Sequence, residues 1–438
     1  MADASRSAFP GGRDPGRLAL FASGDFACNL YWQSITLFLL YFYTEILQLP
    51  PALAGAIAMA GAVWGALADL AIGAVAQRAS SYRRFVSVGA APLGFAFVAL
   101  FAVPGFGGMA TAAVALATQI VFRTLYALVN VPYAAWSARI SEDSRDRATI
   151  AGLRMLFGAA AASLVALTMP QDGHVIAAGG YAAVAVPLLW VVAVRSREVT
   201  SPSLPVPVPI RACLSSLGRN RAFVTLNLGM AIAGIAAAIV NQSVLYYYDH
   251  VLAAPAAGRA TLAMMGIAGA ACIPIWMLVS RWTGARASWF VASAGGLASL
   301  AAFWLAGGGS AGTTQLLLIG LQIMFSGLNF AFWALLPDTV EFGEAKTGVR
   351  VDALAFGVSA FVQKIALAGA AIAFGMVYAQ IGYMPAEGQS VATSMGVRAL
   401  MLGAPAVGLA SAALVMFASP LRRGVHARLI ETLRQRRA

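Results

Sequence analysis

Long apolar runs alternate with short polar connections along the whole chain. The repeat suits membrane crossing, since about 20 residues of helix at about 1.5 Å per residue span a hydrocarbon core of about 30 Å. The runs predict helical spans at 18–44, 52–77, 84–103, 109–137, 151–170, 175–194, 222–248, 257–280, 286–305, 312–336, 352–381 and 393–418. One longer polar stretch, SREVTSPSLPVPVPIRACLSSLGRNR at 196–221, has a Pro-rich start that resists helix, and it separates six spans from six. The expected fold is an all-α polytopic membrane protein with twelve transmembrane helices in two six-helix bundles. Its expected segments are a polar start at 1–17, bundles at 18–194 and 222–418, a central loop at 195–221 and a basic tail at 419–438.

Charge then orients the chain. Of 29 Lys and Arg residues, only Arg259 and Arg398 fall on one side of the predicted spans, and Arg123 and Lys364 fall inside them. The rest share the side of both termini, so the positive-inside rule makes both termini cytoplasmic, in the cell (inner) membrane. The net charge of +12 is therefore topology rather than a nucleic-acid footprint, and the partner it implies for the tail is anionic lipid. Composition agrees: 60% hydrophobic and 11% charged, where soluble domains carry about a quarter charged residues. A polar start leading into a full-length span predicts no cleaved signal peptide. Cys28, Cys213 and Cys272, and His174, His250 and His426, are scattered, so no metal or cofactor site and no disulfide is expected. No nucleophile–base constellation suggests an enzyme, and no loop is long enough for a sensor domain. A single copy is expected to act alone.

Ionisable groups inside spans are costly, and Asp25, Asp69, Arg123 and Lys364 are therefore the functional candidates. At helical rise, Arg123 and Lys364 lie about 12 to 14 residues into their spans, near the midplane, and Asp25 and Asp69 are shallower. Asn29 is one turn beyond Asp25, and Asn130 is two turns beyond Arg123, on the same faces. Two readings stand: mutual ion pairs that hold the bundle, or a central polar cavity for a solute and a coupling ion. Arg123 would suit bidentate recognition of a carboxylate or phosphate, or a pairing with Asp69 or Asp25. Among the aromatics, Trp64 and Tyr126 are the candidates for stacking on a sugar ring. A weak internal repeat relates the halves: Asn130, Glu142 and Arg147 recur in spacing as Asn329, Glu341 and Lys346.

The stretch LLPDTVEFGEAKTGVRVDALAFGVSAFVQK at 335–364 resembles the glycoside–pentoside–hexuronide:cation symporters, the melibiose-permease-like branch of the major facilitator superfamily. Its Pro337, Asp338, Glu341, Gly343, Lys346, Thr347, Gly348 and Arg350 match that family's loop, and Gln363 and Lys364 match its Q-K pair. NVPY at 130–133 and the Asp146, Arg147, Arg154 pattern agree as well. The resemblance implies alternating access between two rocking halves around a sugar site. By position it implies a solute site at Asn29, Asn130 and Lys364, a cation site at Asp69 with Asp25 and Lys364, and a cytoplasmic gate. The gate would use Asp146, Arg147, Arg154, Asp338, Glu341, Lys346 and Arg350.

One departure bears on the coupling ion. Where the family carries W-D-x-x-N-D-P, this chain reads WGALADL at 64–70, with Gly65, Ala68 and Leu70 in place of the aspartate, asparagine and proline. One carboxylate is a poor sodium site, but a carboxylate beside a lysine suffices for a proton relay. The expected function is a proton-coupled symporter of a sugar or glycoside-like solute, with an anionic solute as the favoured subset. The alternatives are a lysolipid or other amphiphile carrier on the same fold, and an uncoupled facilitator or exporter.

Overall fold

The computed structural model describes residues 15–141, 143–169, 174–198, 209–306, 310–380 and 391–421. Most of the segment 1–17, part of the central loop and the tail beyond 421 lie outside them, as do Glu142 and His426. All regular structure among the described residues is helical. In chain order the helices are α1 (Pro15–Ser34), α2 (Pro51–Ala76), α3 (Arg83–Phe101), α4 (Gly108–Ile140), α5 (Ser144–Thr168), α6 (His174–Arg195) and α7 (Ile210–Arg219). They continue with α8 (Arg221–His250), α9 (Pro255–Ala271), α10 (Ile273–Thr283), α11 (Ala285–Ala306), α12 (Ala311–Thr347), α13 (Ala353–Gln380) and α14 (Val391–Phe417).

Among the described residues, eleven helical stretches are long and apolar enough to cross a membrane. The twelfth crossing is α1, which runs on through two π-helical turns, Ile35–Leu39 and Phe42–Ile46. The predicted span 257–280 is two helices meeting at Cys272. Pro274 has no N–H to donate back to Ala270, so the ladder breaks inside the membrane. Two elements run past their predicted ends into the polar layer. α5 starts at Ser144 because the Asp143 carboxylate caps it, accepting from the Arg145 N–H at 2.9 Å. α12 continues to Thr347 and stops where Gly348 takes a left-handed conformation at φ 72°. The central loop, past its Pro-rich start, contains the short α7, which buries Cys213, Ser216 and Leu217.

Helices α1 to α6 form one bundle, with α1 against α5 and α6, α2 against α4, and α3 against α4 and α6. Helices α8 to α14 form the second, with α8 against α14, α9 and α12, and α11 against α12 and α14. The bundles meet where α13 packs on α2 and α4, and where α5 packs on α10 and α12. Small residues permit this close contact. A Cβ added to Gly357 would lie 2.6 Å from the Asp69 carbonyl oxygen and 3.1 Å from the Gly73 Cα. Here the backbones of α2 and α13 touch directly.

Candidate substrate cavity and interbundle latch

A cavity of about 560 Å³ lies between the bundles. Its first wall is built from Asp25, Asn29 and Trp32 on α1, Tyr126 and Asn130 on α4, and Arg154 on α5. Its second wall carries Gln322, Ser326 and Asn329 on α12, with Gln363 and Lys364 on α13. Gln322, Ser326 and Asn329 follow one another at i, i+4 and i+7, which places all three on one helix face. That spacing is readable in the sequence, where only Asn329 attracts attention through the repeat.

Two ion pairs sit in this wall. Lys364 Nζ lies 2.5 Å from Asp69 Oδ2 and joins α13 to α2 across the two bundles. Arg154 donates from Nη2 to Asp25 Oδ1 at 2.7 Å and from Nε at 3.0 Å, both within the first bundle. Asn29 Nδ2 donates to the other Asp25 oxygen at 3.1 Å. The Arg154 guanidinium also stands 5.1 Å from the Tyr133 ring centroid and 5.6 Å from that of Trp333. Arg154 was expected in the gate; the structure places it in the cavity wall, because its bidentate partner is on α1.

Arg123 is 8% exposed and does not line the cavity. It lies behind Trp32, 5.4 Å from the ring centroid, while Lys364 Nζ is 5.5 Å from the same ring. Arg123 occupies the room that the absent side chain of Gly65 leaves: a Cβ there would stand 2.9 Å from Arg123 Cδ and 3.7 Å from Lys364 Nζ. The Arg123 Nε is buried without a hydrogen-bond partner. Of the two readings of Arg123, pairing with Asp69 or Asp25 is not what the structure has: Lys364 and Arg154 take those carboxylates. Trp64 also lies away from the cavity. It is 42% exposed, and its indole N–H donates to Thr124 Oγ1 at 2.9 Å. Tyr126, by contrast, stacks on Trp32 at the wall, with centroids 5.7 Å apart.

A separate set of charges ties the bundles at the end where the α4–α5 and α12–α13 connections lie. Arg147 on α5 is buried and donates to Asp338 Oδ1 at 2.6 Å and to both Glu341 oxygens at 3.0 Å, all on α12. Asp352 receives Arg139 Nε at 2.7 Å from the first bundle and Arg350 Nε at 3.0 Å from its own. Arg350 also donates to Glu344 at 3.0 Å and to the Ala138 carbonyl at 3.2 Å. Burial would raise the Asp352 carboxyl, but the Arg350 and Arg139 guanidiniums hold it below the usual carboxylate range. Besides Arg154, two expected gate residues stand outside this latch. Asp146 accepts from Ser141 Oγ at 2.9 Å, a local contact within its own bundle. Lys346 is exposed, 4.9 Å from the Phe342 ring, so the repeat that relates it to Arg147 does not extend to its surroundings. Arg139, Glu344 and Asp352 were missed. Their signal was present, as charges flanking spans, but such charges ordinarily face water.

A paired set of six-helix bundles around a polar midplane cavity, latched at one end, defines a major facilitator transporter rather than an enzyme. The chain matches the family described as MFS/sugar transport protein over residues 20–423 and belongs to it. It is 28% identical to a putative sulfoquinovose importer of Salmonella typhimurium, covering 95% of this chain and 92% of that one. It is 26% identical to a glucuronide carrier protein homolog of Escherichia coli, covering 86% of each. Among solved structures, the transporter FucP in its outward conformation superposes with a TM-score of 0.65 over 90% of this chain at 13% identity, which speaks to the fold alone.

Proposed function

We propose that this protein is a proton-coupled symporter that imports an anionic sugar-like solute by alternating access. Its rocking units are residues 18–194 and 222–418, both termini face the cytoplasm, and the latched end is the cytoplasmic one. One observation carries the reading: among the described residues, Arg154 and Lys364 in the cavity wall and Arg123 behind Trp32 make three cations against two carboxylates, Asp25 and Asp69. A positive excess at the bilayer midplane is costly, and an anionic solute relieves it. Lys364, Asn29 and Asn130 are the groups placed to receive that solute. The family relationship supports the sugar-like class, and the relatives include carriers named for sulfoquinovose and glucuronide, both acidic sugars.

The same charges supply a coupling route. Protonating Asp69 removes the partner of Lys364 and raises the positive excess by one. An anion then binds more tightly, and by linkage the bound anion favours the proton. At about 4 Å and an effective dielectric of about 20, one unit charge is worth about 4 kcal/mol, ample for the 1–3 kcal/mol typical of coupled sites. With one carboxylate at Asp69 and none at Gly65 or Ala68, sodium has too few oxygen ligands. The test is uptake into proteoliposomes of a sugar acid against its neutral parent, with and without an inward proton gradient. Gradient-driven uptake of the acid alone supports the reading; equal uptake of both sugars, or stimulation by sodium at fixed pH, rejects it.

A second reading has its own observation. A side pocket of about 320 Å³ shares Gln322, Ser326, Asn329, Gln363 and Leu367 with the main cavity and adds apolar walls from Met230, Phe325 and Leu328. Such a wall suits the apolar substituent of a glycoside or other amphiphile. Competition by alkyl glycosides of increasing chain length distinguishes the two.

A further inference from the structure

A third cavity, of about 450 Å³, lies away from the solute site, at the latched end, and nothing in the transport reading uses it. It sits between the start of α5, the α10–α11 turn, α12 and Leu421, a few residues past the end of α14. Three arginines line it: Arg145 from the first bundle, and Arg281 and Arg286 from the second. The one carboxylate in the lining, Asp338, is already engaged by Arg147 at 2.6 Å. Arg286 is anchored to the end of α14, donating from Nη2 to the Met416 and Phe417 carbonyls at 3.2 and 3.3 Å. Arg145 and Arg281 have exposed side chains and no acidic partner among the described residues.

The lining is also half apolar, with Phe290, Leu335, Ala334 and Leu421 behind the arginines. Trp282, between Thr283 and Arg281, is 67% exposed at the rim. An exposed indole beside arginines at the terminus of a membrane-crossing helix marks headgroup depth. The cavity thus offers cations for a phosphate and apolar wall for the first carbons of a chain, at the level where both are found in a bilayer.

The geometry points to a binding site here for an anionic phospholipid, its phosphate held by Arg145 and Arg281 with Arg286 behind them. Because Arg145 belongs to one bundle and Arg281 to the other, the occupied site ties the bundles in the latched arrangement, next to Asp338. It supplies a second tie that depends on the membrane rather than on the solute.

The test is thermal unfolding of the full-length purified protein in phosphatidylcholine micelles, with additions of phosphatidylglycerol or of inorganic phosphate, compared with an Arg145→Gln/Arg281→Gln variant. The expected result is an unfolding midpoint raised by several degrees with phosphatidylglycerol in the wild type, at least halved in the variant, and no such rise with inorganic phosphate. An undiminished shift in the variant, or an equal shift with inorganic phosphate, overturns the proposal. Should the variant fail to fold, a photoreactive phosphatidylglycerol on the wild type decides it. Labelling of the peptides that carry Arg145 and Arg281 to Phe290 supports the site, and labelling confined to other peptides overturns it.

Discussion

Replacing Gly357 by alanine should unlock the closed end of the transporter without touching a charge. A Cβ at Gly357 would lie 2.6 Å from the Asp69 carbonyl oxygen and 3.1 Å from the Gly73 Cα, both backbone atoms of α2 that cannot rotate aside. Recovering an ordinary contact of 3.4 Å requires the helices to part by about 0.8 Å at this point. Overpacking of this kind costs about 1–3 kcal/mol. The cost falls on the latched arrangement alone, since rocking the bundles apart separates α2 from α13. A penalty of about 2 kcal/mol shifts the latched-to-open ratio about 30-fold. Spin labels at Arg84 and Lys346, both exposed and on opposite bundles, report the separation of that end. The distance distribution should move to longer values in Gly357→Ala and less so in Gly73→Ala, whose nearest contacts are 3.0 and 3.2 Å. Gly369→Ala, on the same helix with nothing within 4 Å, is the control and should not change it. An unaltered distribution in Gly357→Ala would refute the idea that this backbone contact belongs to the latched state.

Other perturbations separate the latch from the cavity. Arg147→Gln leaves Asp338 and Glu341 buried without their guanidinium, at a cost of about 3–5 kcal/mol to the latched state; the same labels should move apart, and unchanged distances would contradict this. Lys364→Met should still insert but unfold at a lower temperature, because the buried Asp69 carboxylate loses its partner, and should lose accumulation against a gradient. Combining it with Asp69→Asn should restore part of the exchange activity, because neither charge is left unpaired; normal accumulation by Lys364→Met alone would end the coupling proposal. The Asp352 carboxyl is held low in the folded latch, so its contribution is complete above its unfolded value of about 3.9 and is lost as pH falls through the lower folded value. Label distances should therefore stay constant from neutral pH down to the unfolded value and lengthen only below it, and Asp352→Asn should abolish that acid-induced part of the change.

The number of crossings was legible in the sequence because a bilayer imposes a length on each apolar segment independently. The break at Cys272 was not read from hydropathy, since Pro274 alters backbone bonding without altering apolarity. Costly polar residues inside spans singled out Asp25, Asp69, Asn29, Asn130 and Lys364, and all five line the same cavity. Who pairs with whom was beyond the sequence. Arg154 looked like a gate residue because it lies near the end of a span, and only the packing of α5 on α1 brings it to Asp25. Arg123 and Trp64 looked like solute ligands by residue type, but each faces away from the cavity because of how α2 and α4 pack. Likewise Arg139 and Asp352 are 213 positions apart, and no local pattern marks two flanking charges as partners until the bundles meet. Apolarity and a length sufficient to cross are properties of a segment, so the sequence determined them; ion pairing and cavity lining are properties of two faces in contact, so the tertiary structure alone decided those.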